Sequence, residues 1–209
     1  MLNAERIRRD VIVIGASAGG VESLMRLFAR LPASLQAVVA VVLHRSRMHE
    51  SRLAEVLGRG TALPLRDARQ GEQPAPGTIY LAPRDRHLLV QDGRLALSGG
   101  PREHHTRPAV DPLFVSAARA FGPRVVGIVL TGTGADGVHG LIAIKTAGGL
   151  SLVQDPQEAR YATMPLNAIR QDRVNAVLEL DDLATAVAAL ADGKAVEVAP
   201  TRAGSRVAP

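Results

Sequence analysis

A run of aliphatic residues that ends in a glycine-rich turn constrains the fold of this chain most. Residues Val11–Ile14 are all β-branched and apolar, which is typical of a strand buried on both faces of a sheet. Ser17 and the pair Gly19 and Gly20 follow, and a helical pattern begins at Val21. The sequence therefore predicts a serine on a tight turn between a buried strand and a helix. Open α/β sheets place their ligands and their chemistry at this position.

Strands and helices alternate along most of the remaining sequence. This alternation indicates βαβ crossovers and predicts an α/β fold with a doubly wound, mostly parallel sheet. The other predicted core strands are Val38–Leu43, Val125–Leu130, Leu150–Val153 and Val174–Leu178. The predicted helices are about Val21–Arg30, Glu50–Leu57, Leu113–Phe121, Val138–Ala147, Pro165–Arg170 and Asp181–Leu190.

The pattern changes between residues 77 and 98. The segments Gly77–Pro83, His87–Gln91 and Arg94–Ser98 alternate apolar and polar residues, and Asp92-Gly93 is a strong signal for a tight turn. We predict an antiparallel β-hairpin appended to the parallel core. The predicted organisation is a short lead over residues 1–9, a single domain over residues 10–192 and a flexible tail over residues 193–209.

Composition excludes several classes of protein. The 209 residues include no cysteine, which excludes a disulfide framework, a cysteine nucleophile and a zinc site built on thiolates. The net charge is +5, but no basic stretch alternates with aromatic residues, so we expect no nucleic-acid partner.

The longest apolar run, Ala37–Leu43, is too short to span a bilayer, and the first ten residues do not resemble a secretory signal. We expect a soluble protein without membrane insertion, compatible with the cytosol.

Three polar residues follow three of the predicted buried strands. Ser17 follows the first strand, His44 the second, and Asp136 lies in the loop after Val125–Leu130. In a parallel sheet the carboxyl ends of these strands share one edge, so the three side chains can meet there. A serine hydroxyl needs a neighbouring base, histidine accepts a proton near neutral pH, and a carboxylate orients the imidazole. The predicted catalytic residues are Ser17, His44 and Asp136.

Each of these residues also has a simpler interpretation. The Ser17 loop could hold a phosphate at a helix N-terminus, although the lysine of a P-loop is absent. Asp136 could be the N-cap of the helix that follows it, and the pair Asp111-Pro112 resembles an N-cap and first helical residue, as Asp181 resembles a cap for the last helix. Asp111 and Asp155 remain alternative carboxylates. His44 could be a capping or surface histidine, although it is the one histidine that follows a predicted buried strand. The competing histidines are His49, His87, His104, His105 and His139, and the pair His104-His105 lacks the spacing of a metal ligand set.

Backbone amides and arginines complete the predicted site. Gly132 and Gly134 could present N–H groups that stabilise an oxyanion, or they could only permit a turn. Arginines near the predicted cleft could aid encounter with an acidic partner, although solvated arginine is the default for any one of them: Arg45, Arg47 and Arg107.

An ordered set of short motifs resembles a known family. It comprises Gly15-Ala-Ser-Ala-Gly-Gly20, the strand ending in His44, the run Arg107-Pro-Ala-Val-Asp-Pro-Leu-Phe114, the loop Leu130-Thr-Gly-Thr-Gly-Ala-Asp-Gly137, Asp155, Met164-Pro165 and Ala168-Ile169. Together they resemble the catalytic domain of the chemotaxis protein-glutamate methylesterase of the CheB type over about Asp10 to Leu190. The resemblance implies Ser17 as nucleophile, His44 as general base and Asp136 as orienting acid. It implies hydrolysis of γ-glutamyl methyl esters on chemoreceptor cytoplasmic helices, some deamidation of glutamine, a cytoplasmic location and no metal or organic cofactor.

The sequence departs from this family at two positions beside the predicted site. The best-known members have threonine where this chain has Ala18, and methionine where it has Thr133. Ala18, Thr133 and Gly134 are therefore the candidate substrate or oxyanion positions. Typical members also carry an N-terminal receiver domain, whereas only ten residues precede the first strand here, so we expect no receiver domain in this chain.

Two other functions remain open from the sequence. One is a phosphate- or nucleotide-binding α/β module, which the glycine loops at the strand ends favour. The other is a non-catalytic module that keeps the fold and docks on receptor arms.

Overall fold

Within residues 7–44 and 52–196, which the computed structural model describes, the chain forms nine strands and six α-helices. The strands are β1 (Val11–Ala16), β2 (Val38–Leu43), β3 (Leu65–Asp67), β4 (Thr78–Leu81), β5 (His87–Gln91), β6 (Arg94–Ser98), β7 (Val125–Val129), β8 (Leu150–Gln154) and β9 (Ala176–Leu178). The helices are α1 (Gly20–Arg30), α2 (Leu53–Gly58), α3 (Val110–Phe121), α4 (Val138–Thr146), α5 (Thr163–Gln171) and α6 (Leu180–Ala191). None of these helices combines the length and the apolar character needed to cross a bilayer.

Seven parallel strands form the central sheet in the order β3-β4-β2-β1-β7-β8-β9. The order of strands reverses at β1, which lies between β2 and β7. Ala16 pairs with Leu43, and Gly15 pairs with Val129. The carboxyl ends of these three strands are therefore level with one another, and the residues that follow them share one crevice at the switch point. The predicted doubly wound sheet is confirmed.

Two aliphatic cores cover the two faces of the sheet. Side chains of α1, α2 and α6 pack on one face, for example Leu27, Leu57 and Val187. Side chains of α3, α4, α5 and the β5–β6 ribbon pack on the other face, for example Phe114 and Leu141. With helices on both faces, the central strands are buried throughout, which explains their continuous runs of Val and Ile.

The predicted hairpin is present, but it is shorter than the alternating pattern indicates. Among the nine described strands, only β5 and β6 pair antiparallel, and Asp92 and Gly93 turn between them with φ values of 50° and 72°. Positive φ at both central residues is typical of a type I′ turn. The segment Gly77–Pro83 does not belong to the hairpin, because β4 joins the parallel sheet between β2 and β3.

Three predicted helix caps are wrong. Asp111 is not an N-cap, because α3 already begins at Val110 and Asp111 lies in its first turn. Asp136 does not cap α4, whose N-cap is Gly137. Asp181 lies inside the first turn of α6 and pairs with Arg30 over 3.1 Å, while Glu179 holds the cap position.

The close packing of α3 against α4 depends on a glycine. A methyl group at Gly140, in the first turn of α4, would lie well inside contact distance of the Phe114 side chain. On an exposed helix, alanine in place of glycine stabilises by about 1 kcal/mol. We expect Gly140→Ala to lower the free energy of unfolding by about 1–3 kcal/mol instead, since overpacking outweighs helix propensity. Urea denaturation measures this change.

Gly58→Ala is the matched control for that substitution. Gly58 ends α2, and no atom lies within 4 Å of the position that its methyl group would take. Gly58→Ala should be neutral or stabilising by up to about 1 kcal/mol. A Gly140→Ala protein with the same free energy of unfolding as wild type would contradict this prediction, because it would show that α3 and α4 can move apart to accept the methyl group without loss of stability.

Candidate active site

Ser17 lies on a tight turn directly beyond β1. Its carbonyl accepts a hydrogen bond from the Gly20 amide over 2.9 Å, and its own amide donates to the Thr131 carbonyl over 3.0 Å. Gly19 occupies the third position of this turn with φ 75° and ψ −3°, which matches a type II turn and disfavours any residue with a side chain. The backbone of the turn therefore fixes Ser17 independently of its hydroxyl.

His44 is the first residue beyond β2, next to Ser17. Its amide donates to the Ala16 carbonyl over 3.0 Å, which continues the β1–β2 register by one residue. The imidazole Nδ1 lies 3.1 Å from Ser17 Oγ, and Nε2 lies 2.7 Å from Asp136 Oδ2. An ionised carboxylate only accepts, so Nε2 carries the hydrogen and donates it to Asp136. Nδ1 is then the free acceptor that faces the serine hydroxyl.

Asp136 is held by the N-terminus of α3. Its Oδ2 accepts the Val110 amide over 2.7 Å, and its Oδ1 accepts the Asp111 amide over 3.0 Å. Burial, which leaves only 2% of the side chain exposed, pushes the pKa of Asp136 up. The hydrogen bonds from His44 and the two amides together outweigh that burial and lower the pKa below its ordinary value of 3.8. Asp136 is therefore an ionised carboxylate at neutral pH.

The predicted convergence of the three side chains is present in the structure. Ser17, His44 and Asp136 form one continuous hydrogen-bonded chain, and 12% of the His44 side chain is exposed. The arrangement has a hydroxyl, an acceptor nitrogen within reach of it and a carboxylate that fixes the imidazole tautomer. It can activate the hydroxyl as a nucleophile.

The loop after β7 packs directly against Ser17. A methyl group on Gly132 would lie 2.8 Å from Ser17 Cβ and 2.6 Å from Met164 Sδ, so only glycine fits there. The Gly132 amide donates to the Tyr161 carbonyl over 2.9 Å, so it is not available as an oxyanion donor. Among the described residues, no acceptor is recorded for the amides of Ala18, Thr133 or Gly134, and these remain the candidate donors.

Two polar residues that sequence reasoning missed hold this loop in place. The Thr131 hydroxyl donates to the Ala18 carbonyl over 3.1 Å and accepts the Tyr161 amide over 2.9 Å. The Gln154 side-chain oxygen accepts the Thr131 amide over 2.9 Å. Both residues lie at the carboxyl ends of buried strands, and this is the sequence position that identified Ser17 and His44. A polar residue at the end of a buried strand can therefore be a supporting residue as well as a reactive one.

A cleft of about 610 Å³ opens beside Ser17 between α1 and α2. Four apolar side chains line it, Val21, Met25, Leu43 and Leu53. Its charged lining comes from Glu22, Arg26 and Arg160. Arg26 pairs with Glu158 over 2.9 Å, and Arg160 lies 3.9 Å from Glu22. The cleft thus offers an apolar floor next to the hydroxyl and arginines at its rim.

A second carboxylate lies beside Asp136. Asp111 Oδ1 accepts the Gly140 amide over 2.7 Å, and Asp111 Oδ2 lies 2.9 Å from His104 Nε2. Asp136 thus binds the first turn of α3, while Asp111 binds the first turn of α4. His104, Asp111 and Asp136 bring ligand-type atoms within 4.8 Å of one another, but both carboxylates already accept backbone amides. We interpret this group as a hydrogen-bond network.

The other sequence candidates lie elsewhere or have structural roles. His87 is buried, where it accepts the Ala109 amide and donates to the Pro101 carbonyl. Asp155 accepts the amide of Gln157 in a local turn. Arg107 donates to Asp85 and to the carbonyls of Gly99 and Gly100. Predictions that concern Arg45, Arg47, His49 and residues 197–209 lie outside the described residues.

Comparison with known proteins gives a consistent result. A model of the CheB methylesterase family matches residues 12–187. The chain is 39% identical over 184 residues to protein-glutamate methylesterase/protein-glutamine glutaminase 2 of Anaeromyxobacter dehalogenans, covering 88% of this chain and 54% of that protein. It is 34% identical over 176 residues to a putative protein-glutamate methylesterase/protein-glutamine glutaminase of Leptospira interrogans, covering 84% of this chain and 91% of that protein.

A solved structure is similar over the whole fold. The CheB methylesterase catalytic domain of Thermotoga maritima superposes with a TM-score of 0.83 at 30% sequence identity, covering 88% of this chain and all of that one. Among the sequence relatives, the chain spans about half the length of the Anaeromyxobacter protein and nearly all of the Leptospira protein.

Proposed function

Because the chain belongs to the CheB methylesterase family, we propose that it is a serine esterase that hydrolyses glutamate γ-methyl esters on the cytoplasmic helices of chemoreceptors. Methanol and a glutamate carboxylate are the products. The observation that supports this proposal best is the hydrogen-bonded chain from Ser17 through His44 to Asp136 at the end of the cleft. The substrate places the reaction in the cytoplasm.

The geometry suits a two-step acyl transfer. Ser17 Oγ attacks the ester carbonyl while its proton passes to His44 Nδ1. The tetrahedral intermediate then collapses, and the Nδ1 proton passes to the methoxide as methanol leaves. Water attacks the acyl-enzyme by the same route, with Nδ1 as base, and restores Ser17. Asp136 accepts from Nε2 throughout and stabilises the imidazolium that forms in each step.

The surroundings of Ser17 fit this substrate. The apolar floor of the cleft suits a methyl ester and the aliphatic side chains of a neighbouring helix turn, and Arg26 and Arg160 suit acidic residues on the same helix. The amides of Ala18 and Thr133 are the proposed oxyanion donors, since the amide after the nucleophile serves this role in related turn geometries. Attack on a glutamine amide would follow the same steps with ammonia as leaving group.

The proposal is tested by methanol release from receptor membranes that carry labelled methyl esters. We expect the chain to release labelled methanol, and we expect a chain whose Ser17 has been blocked by a fluorophosphonate to release none above background. Release that persists after complete modification of Ser17 would remove this serine as nucleophile. Tight nucleotide binding in calorimetry with no label on Ser17 would favour the phosphate-binding alternative.

A further inference from the structure

A second imidazole–carboxylate pair lies directly behind the candidate active site. His104 Nε2 donates to Asp111 Oδ2 over 2.9 Å and lies 3.9 Å from Asp136 Oδ1. His104 belongs to the loop between β6 and α3, and 45% of its side chain is exposed, whereas Asp111 is 5% exposed. The buried Asp111 is therefore in contact with a half-exposed histidine, whose recorded partners among the described residues are Asp111 and Asp136.

The ionised form of Asp111 depends on few partners. Burial raises its pKa most, and the negative charge of Asp136 raises it further, while the Gly140 amide and His104 lower it. Asp136 and His104 are the titratable groups recorded as acting on Asp111. Asp136 in turn faces His44, with His104 farther away. Loss of the His104 donor would leave the Gly140 amide as the one recorded partner that favours the charged form.

A protonated Asp111 would change the charge that His44 meets. An oxygen of Asp111 lies within 4.8 Å of an oxygen of Asp136. Protonation of Asp111 would remove the second of two neighbouring carboxylate charges. The imidazolium that forms on His44 during the reaction would then be balanced by one negative charge fewer.

We propose that His104 is a positioning residue that keeps Asp111 ionised and thereby keeps a second carboxylate charge beside Asp136 while His44 takes up the proton of Ser17. Its effect on hydrolysis rests on the proposed function, but its effect on the activation of Ser17 does not. His104 thus joins Ser17, His44 and Asp136 as a side chain that activity requires. It acts on His44 through the carboxylates of Asp111 and Asp136.

The test compares His104→Leu with His105→Leu. His105 is the adjacent exposed histidine, and both residues have left-handed φ values, 48° and 62°, so each substitution places leucine at a residue with positive φ. The readout is the rate at which a fluorophosphonate labels Ser17, measured from pH 5 to 9. We expect His104→Leu to slow labelling about 5- to 20-fold at its pH optimum and to move the acidic midpoint down by about half to one pH unit. His105→Leu should match wild type.

Two further variants separate positioning from folding. His104→Gln keeps an N–H donor and should label within about twofold of wild type. Asp111→Asn makes the second carboxylate permanently neutral and should reproduce the lower midpoint, and adding His104→Leu to it should change the midpoint no further. A uniform loss of rate at every pH, with an unmoved midpoint, would overturn the proposal. Wild-type labelling without methanol release would refute the proposed substrate while leaving this comparison intact.

Discussion

Ser17→Ala should abolish methanol release, with a fall in rate of about 10⁴- to 10⁶-fold, the range found when the nucleophile of a serine triad is removed. The variant should fold normally, because the turn is fixed by the Ser17 amide and carbonyl rather than by its hydroxyl. Within the part of the chain that the structure describes, the one hydrogen bond recorded for Ser17 Oγ is the bond to His44. Methanol release and fluorophosphonate labelling, measured on the same preparations, give the result.

Ser23→Ala is the matched control for that experiment. Ser23 is buried in α1, less than one helical turn beyond Gly20, where the turn that carries Ser17 ends, and it takes no part in the proposed chemistry. It should hydrolyse and label at rates within about threefold of wild type, as expected for a substitution outside the reacting groups. Labelling of the Ser17→Ala protein at another serine, together with undiminished release, would show that the nucleophile lies elsewhere.

Asp136→Asn should lose both activity and stability. The rate should fall about 10⁴-fold, because the amide no longer fixes the imidazole tautomer or balances its charge. The free energy of unfolding should fall by about 2–4 kcal/mol, because an amide cannot accept both the Val110 and the Asp111 N–H groups as the carboxylate does. Urea denaturation and methanol release measure the two losses separately.

The stability loss should depend on pH in a defined direction. The pKa of Asp136 lies below its ordinary value of 3.8 in the folded protein, so its stabilisation is fully present above that value. The stabilisation disappears as the pH falls through the lower, folded pKa. The difference between wild type and Asp136→Asn should therefore be largest above about pH 5 and shrink in more acidic solution.

Two controls separate the roles of Asp136. His44→Gln should lose activity but keep most of the stability, since the α3 amides retain their acceptor. Asp155→Asn, which alters an aspartate with a single local amide partner, should cost less than about 1 kcal/mol and leave activity unchanged. An Asp136→Asn protein that unfolds like wild type would contradict the role of this carboxylate at the N-terminus of α3.

The convergence of Ser17, His44 and Asp136 could be predicted because parallel strands carry their following residues to one edge. The register of β1 and β2 then makes Ser17 and His44 neighbours, because the residues that precede them, Ala16 and Leu43, lie opposite each other. The helix that Asp136 holds could not be predicted in this way. Its amide partners lie 25 and 26 residues earlier in the chain, and local capping rules favour the helix immediately downstream.

The misassigned strand has a similar cause. Thr78 and Tyr80 alternate with apolar residues, which is typical of a half-exposed strand. In the structure Tyr80 is fully buried, and its hydroxyl accepts the Ala75 amide over 2.9 Å, so its burial leaves no unsatisfied polar group. The Gly132 amide donates to the Tyr161 carbonyl, which lies in another loop. A contact between two loops that are distant in the sequence could not be predicted from the residues around Gly132.

The carboxylates of Asp136 and Asp111 connect the candidate active site to the packing of α3 and α4. Asp136 accepts the Val110 and Asp111 amides of α3, and Asp111 in turn accepts the Gly140 amide of α4. A conformation in which α3 has separated from Asp136 would therefore lose both backbone donors that fix the carboxylate facing His44. We expect Ser17 to be less nucleophilic in such a partly unfolded chain than in the folded protein.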